Sequence, residues 1–173
     1  MEVIIDLIKI TLPASLVLYA VYLVVKSFLN KEFQVGMREF KTEHAKLTLP
    51  LKLQAYERMT IFLERISPNN LIPRLNDPSY NVIQLHALIV TDIKEEYNHN
   101  LAQQIYLSDE AWHLLTKAKE ELISLVNGIA HDLDNEAPSI QLAKKIFEVT
   151  IEGTTEDSVS AMKFLKDEVR AIL

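Results

Sequence analysis

The apolar positions of this chain change their pattern near residue 27. Up to there they form an almost unbroken run, "LIKITLPASLVLYAVYLVV" from Leu7 to Val25, interrupted by Lys9 and a few small polar groups. At about 1.5 Å per residue, a helix of that length matches the roughly 30 Å hydrocarbon core of a bilayer. Lys9 lies within a turn of the start, where its long stem carries the charge to the interface. Pro13 is tolerated more readily in a membrane helix than in a soluble one, and Tyr22 near the far end suits an interfacial belt. A cleaved signal peptide expects a basic leader and a small-x-small cleavage site. The leader here carries Glu2 and Asp6, and "KSFLNKEFQ" follows the apolar core, so the pattern predicts an uncleaved transmembrane anchor over residues 1–27.

From Phe28 to about Lys46 the chain is charged and helix-compatible, with Gly36 as its weak point, and predicts a helical juxtamembrane stalk over 28–48. Pro50 removes a backbone donor and disfavours helix in the residue before it, so "TLP" at Thr48–Pro50 predicts a break, with Pro50 opening the next helix. That helix puts Leu51, Ala55, Met59, Phe62 and Ile66 on one stripe, and "SPNN" at Ser67–Asn70 ends it. "LIPRLNDPSYN" reads as a loop or a short helical turn. A long helix follows from about Tyr80 to Ile105, with Val82, Ile83, Leu85, Leu88, Ile89, Ile93, Tyr97, Leu101 and Ile105 on its apolar face.

Ser108 is a natural N-cap, with Asp109 and Glu110 in the first turn where the helix dipole favours acids. The helix it opens runs to about Leu133 with Trp112, Leu115, Ala118 or Lys119, Leu122, Leu125, Val126 and Ile129 inward. "HDLDNEAPS" breaks the chain again, and Ser139–Ile151 turns Leu142, Ala143, Ile146, Phe147 and Thr150 inward. Gly153 should end that helix and Thr154 or Thr155 cap the last one, where Met162, Leu165, Val169 and Ile172 form a narrow seam suited to helix pairing. No strand pattern competes. The prediction is all-α: an N-terminal transmembrane helix, a stalk, and a compact bundle of about five helices over 49–173.

Composition narrows the function. In 173 residues there are three Gly, too few for a turn-rich β sandwich or a phosphate-cradling loop, and no Cys, which removes disulfides, thiolate zinc sites and cysteine catalysis. A net charge of −6 argues against a nucleic-acid partner, since phosphate binding needs a basic face. Lys26, Lys31, Arg38, Lys41 and Lys46 follow the apolar run, whereas two acids and Lys9 precede it or lie at its start. The positive-inside rule then expects the N-terminus outside and the C-terminal domain in the cytoplasm. The stretch Lys31–Arg58 is slightly basic and suits anionic lipid head groups, while the chain beyond Thr60 is acidic.

One stretch suggests chemistry. "EEYNHNLAQQIYLSDEAWH" holds two Glu-x-x-His pairs, Glu96/His99 and Glu110/His113, a spacing that cradles di-iron centres when facing helices carry it at equal height. About the turn near Leu107 the two pairs are offset by roughly 7 Å along the helix axes, and Glu110 already serves the Ser108 cap. No cofactor or catalytic set is therefore expected. A metal- or small-ligand module using Glu95, Glu96 and His99 is the alternative. What remains is a polar surface of Glu96, His99, Asn100, Gln103, Gln104 and Tyr106, whose amides and imidazole suit a protein partner. His44, His86 and His131 show no partner spacing, and no serine sits in a nucleophile elbow.

Three stretches together, "LPLKLQAYERMTIFLERISPNNLIPR" (Leu49–Arg74), "EYNHNLAQQIYLSDEAW" (Glu96–Trp112) and "AKEELISLVN" (Ala118–Asn127), resemble an uncharacterised family of short, single-pass membrane proteins of Bacteroidetes-type bacteria. The resemblance implies a shared fold and anchor and adds no catalytic residue. It points to Tyr56–Arg65 and Glu96–Tyr106 as surfaces. The expectation is a non-enzymatic scaffold or accessory subunit of an inner-membrane complex, in contact with lipid and with a membrane protein partner, or a homo-oligomer paired through the last helix.

Overall fold

The computed structural model of the chain describes residues 2–151 and 156–173, less the side chains at 2–8, 10, 11, 13, 14, 41, 151 and 156. The elements among the described residues are all helices: α1 (Glu2–Ile66), α2 (Pro68–Leu75), α3 (Val82–His99), a 3-10 helix (Leu101–Tyr106), α4 (Asp109–His131), α5 (Ser139–Ile151) and α6 (Glu156–Ile172). The chain divides into two compact units, Met1–Leu49 and Pro50–Leu173.

In the first unit the described apolar side chains from Leu12 to Phe40 are exposed. Among the described residues no helix is long and apolar enough to cross a membrane. Much of the first half of the Leu7–Val25 run, on which the expected anchor depends, lies outside the described side chains.

The break expected at Thr48–Pro50 is absent, and Pro50 lies inside α1. A proline costs the helix one hydrogen bond, the one to the carbonyl four residues back, which here is that of Lys46. Lys46 is exposed, so water can take up the orphaned oxygen. Thr42 and Thr48 donate their hydroxyls to the Arg38 and His44 carbonyls on the same stretch. The chemistry that fails at Pro50 succeeds at Pro68, where Ser67 and Asn70 turn back onto the Glu64 carbonyl at 2.8 Å each and close α1.

The second unit is a bundle around one apolar cluster. Ala55, Met59, Phe62 and Ile66 are buried as expected, whereas Leu51 at the head of that stripe is exposed. α4 contributes Leu115, Ala118, Leu122 and Val126, and also Ala111, Ile123 and Ala130, which the stripe left out. On α3, Val82, Leu85, Ile89 and Ile93 face the core, while Ile83 and Leu88 face out. α2 adds Leu71 and Ile72 from a stretch expected to be a loop or a single turn.

α6 packs along α4. Of its expected seam, Leu165 is buried, Met162 and Val169 pack against the core and Ile172 is exposed. Within the chain the seam lies along α4. The cap expected at Thr154 or Thr155 and the stop at Gly153 lie outside the described residues.

Two polar junctions fix the ends of the bundle. Asn81 caps α3 reciprocally with Gln84, each side chain bonding the other's backbone N–H at 3.0 Å. The same turn is joined to the α4–α5 connection by Val82 N–H to the Ala137 carbonyl and Ser139 N–H to the Tyr80 carbonyl. The buried Ser139 hydroxyl lies 2.7 Å from Asn76 Oδ1. At the other junction, the Glu168 carboxylate on α6 accepts from Tyr56 on α1 at 2.9 Å and from Ser108, the α4 cap, at 3.0 Å.

Burial first, and then the hydrogen bond to Glu168, push the Tyr56 hydroxyl up from 10.0 to about 12. The folded state thus holds this proton more tightly than the unfolded chain. Its contribution to stability is complete below pH 10 and is lost as the pH rises through about 12. Tyr56→Phe should lower unfolding stability at neutral pH by about 1–3 kcal/mol. In an alkaline absorbance titration it should also remove a tyrosine that ionises near 12.

Candidate docking surface

The polar surface expected from the sequence sits where α3 gives way to the 3-10 helix, and the structure divides it. α3 stops because the Asn100 N–H turns back onto the carbonyls of Tyr97 and Asn98, and the Asn100 side chain donates to the Glu96 carbonyl at 2.9 Å. Asn100 is 4 % exposed. It closes the helix and offers nothing to a partner, which corrects its place in the predicted patch. Because α3 ends at His99, that residue and Gln103 are not a helical i, i+4 pair.

Glu96 is also committed. Its carboxylate meets the Arg65 guanidinium from α1 at 3.0 Å, and one turn earlier Asp92 takes a two-pronged grip from Arg74 of α2 at 2.7 Å on both contacts. Direct hydrogen bonding to Asp92 holds the Arg74 guanidinium above its already high ordinary value. Such partly exposed pairs contribute only about 0–1 kcal/mol each, and their effect is to fix α1 and α2 against α3.

Behind them Tyr97 sits among Phe62 and Trp112, with ring centroids 5.9 and 5.3 Å away. Its hydroxyl is 3.0 Å from Thr116 Oγ1 and the Lys119 ammonium stands 4.1 Å over its ring. Trp112, between the second Glu-x-x-His pair, is therefore core packing.

His99 and Gln104 are left exposed, with Gln103 and Tyr106 half-buried. Two aliphatic neighbours join them that the polarity pattern assigned to the core: Leu101 and Ile105, the latter 73 % exposed. The change from a 3.6- to a 3-residue turn carries these side chains out of the apolar face they would continue in an α-helix. The resulting face mixes apolar contact with directional amides, the composition of a protein-docking rim.

Among the described residues no group of three or more His, Asp or Glu side chains is placed to hold a metal ion. Glu95, Glu96 and His99 accordingly do not form a ligand set. His86, which shows no partner spacing in the sequence, is satisfied by Asn127 of α4 at 2.8 Å.

One feature escaped the sequence reading. A groove of about 500 Å³ lies between the end of α1, the start of α2 and α6, lined by Ser67, Asn69, Met162, Lys163, Lys166 and Arg170. The 163/166/170 spacing that gathers the three cations on one face was legible. Glu64 and Asp167 line the same groove, with Asp167 3.3 Å from Arg170, and offset much of its charge.

Truncating His99 or Gln104 to Ala should change stability by no more than about 0.5 kcal/mol, as for ordinary surface positions. Asn100→Ala should cost about 1–2 kcal/mol through the lost helix closure. Thermal unfolding of the three variants separates the exposed face from its structural support.

The chain belongs to the family of unknown function DUF7935, which matches residues 2–172. No curated protein matches it, and no solved structure does.

Proposed function

We propose that this member of the family is a single-pass, membrane-anchored scaffold or accessory subunit of a larger protein assembly, without catalytic activity of its own. The bundle presents the face around His99, Gln103, Gln104 and Ile105 to a membrane protein partner. The setting is the inner membrane of a Bacteroidetes-type bacterium, with the N-terminus outside and the bundle in the cytoplasm.

The observation that carries this reading is the exposure of Leu16, Val17, Leu18 and Tyr19 in succession. Four consecutive helical residues cover the whole circumference, so this part of α1 is apolar on every side. Such a helix is stable only in apolar surroundings, of which a bilayer is the simplest. The same character continues through Val21, Leu23, Val24 and Val25 until Lys26 begins the basic flank. Orientation rests on that flank, and the slightly basic stretch beyond it suits contact with anionic lipid.

The full-length protein should remain in the membrane pellet after alkaline carbonate extraction. Leu18→Arg combined with Val21→Arg should release it, since each charge near a bilayer centre costs about 2.5–3.5 kcal/mol. Purification in mild detergent should bring a stoichiometric membrane protein, lost when His99, Gln103 and Gln104 are all changed to Ala. Carbonate-soluble wild-type protein, or a membrane protein that purifies alone, overturns the reading.

A further inference from the structure

We propose that the stretch of α1 between Phe33 and Leu51 is the seam of a parallel two-stranded coiled coil that pairs this protein with a second copy of itself. Phe33, Met37, Phe40, His44, Leu47 and Leu51 follow one another at spacings of 4, 3, 4, 3 and 4, the alternation of d and a positions in a heptad. All six are exposed, Phe33 at 70 %, Phe40 at 60 % and Leu47 at 69 %. At about 1.5 Å per residue the stripe extends for roughly 28 Å. It has definite ends. The heptad positions before it hold Lys26 and Asn30, and those after it hold Gln54 and Arg58.

The surface is shaped to receive its own side chains. A shallow notch is lined by Phe33, Gly36, Met37 and Phe40, residues i, i+3, i+4 and i+7, which are the four that form the hole for a knob from a facing helix. A Cβ at Gly36 would meet nothing within 4 Å, so the glycine leaves that wall of the hole open. In a parallel, in-register pair the knob entering this hole is Met37 of the second copy. Met is an adaptable filler for a site walled by two Phe rings.

The flanks select the same arrangement. Gln34 and Thr48 lie on one side of the seam and Gly36, Glu43 and Pro50 on the other. Parallel pairing sets each flank against the opposite one, so Glu43 faces Thr48 and not a second Glu43. Antiparallel pairing would bring like flanks together. His44, 4.1 Å from the Phe40 ring, is a polar residue at an a position, the device that holds a coiled coil in register. None of this depends on the membrane reading, although an anchor on each chain would itself enforce the parallel orientation.

The chain has no cysteine, so single cysteines report pairing directly. In the full-length protein in mild detergent, Met37→Cys should form an oxidised dimer of twice the chain mass with about tenfold greater yield than Thr42→Cys, because in-register a positions lie within disulfide reach and outward positions do not. Adding Phe40→Asp should abolish the Met37→Cys dimer while leaving the thermal unfolding of the bundle unchanged. Light scattering of the cysteine-free protein should count two copies of this chain per particle, whatever partner accompanies them. Equal yields at 37 and 42, a monomeric cysteine-free protein, or a Met37→Cys product joined to a different protein each overturns the proposal. Carbonate extraction of the same samples separates failure of the pairing from failure of the membrane anchor.

Discussion

Glu168 is a carboxylate at the meeting point of three helices, and it is made tolerable there by two donors. Tyr56 reaches it from α1 and Ser108 from the first turn of α4. Both donors meet the Oε2 atom of this half-buried carboxylate, and together they tie α6 to α1 and to the start of α4. With Glu168 so held, Leu165 one turn earlier enters the core, and Ala161 a further turn back does the same. Ser108 is occupied on both sides, donating to Glu168 and accepting from the Ala111 N–H. The start of α4 and the position of α6 are thus one decision.

The far end of the bundle is organised differently, by backbone and capping hydrogen bonds. The reciprocal Asn81–Gln84 cap starts α3, and three backbone hydrogen bonds lace that start to the α4–α5 connection and the first residue of α5. The Ser139 hydroxyl bonds Asn76 Oδ1 there, and the Asn81 amide donates to the Glu136 carboxylate at 3.1 Å. Between the two junctions the apolar cluster supplies the driving force of burial, and the junctions select one arrangement among the many that would bury the same residues.

α1 carries three successive apolar patterns: all-round from Leu7 to Val25, a heptad stripe from Phe33 to Leu51, and a core stripe from Ala55 to Ile66. Each pattern asks for a different environment, respectively an apolar solvent on all sides, one facing helix, and a bundle. Only the third is satisfied by side chains of this chain's own bundle, where Met59 and Phe62 have no exposed surface. The proposed membrane anchor and the proposed coiled coil are the environments that would satisfy the other two.

The sequence by itself determined the elements and most of the core. Ser108 with Asp109 and Glu110 named the start of α4, and apolar spacing named Met59, Phe62, Leu115, Leu122 and Ile146, because capping and amphipathic periodicity are properties of one helix at a time. It failed where a neighbour decides. Pro50 looks like a break, yet in an exposed helix the carbonyl it leaves unbonded stays open to solvent. Leu101 and Ile105 look like core, yet the 3-10 turn set by the folded-back Asn100 faces them outward. Glu96 and Asn100 look like free polar surface until Arg65 and the end of α3 claim them. The α6 seam was legible as a seam, but its partner was not, because a stripe records that something must cover it and carries no record of what. That choice belongs to the tertiary structure, where α6 lies along α4 and Glu168 reaches Tyr56 and Ser108.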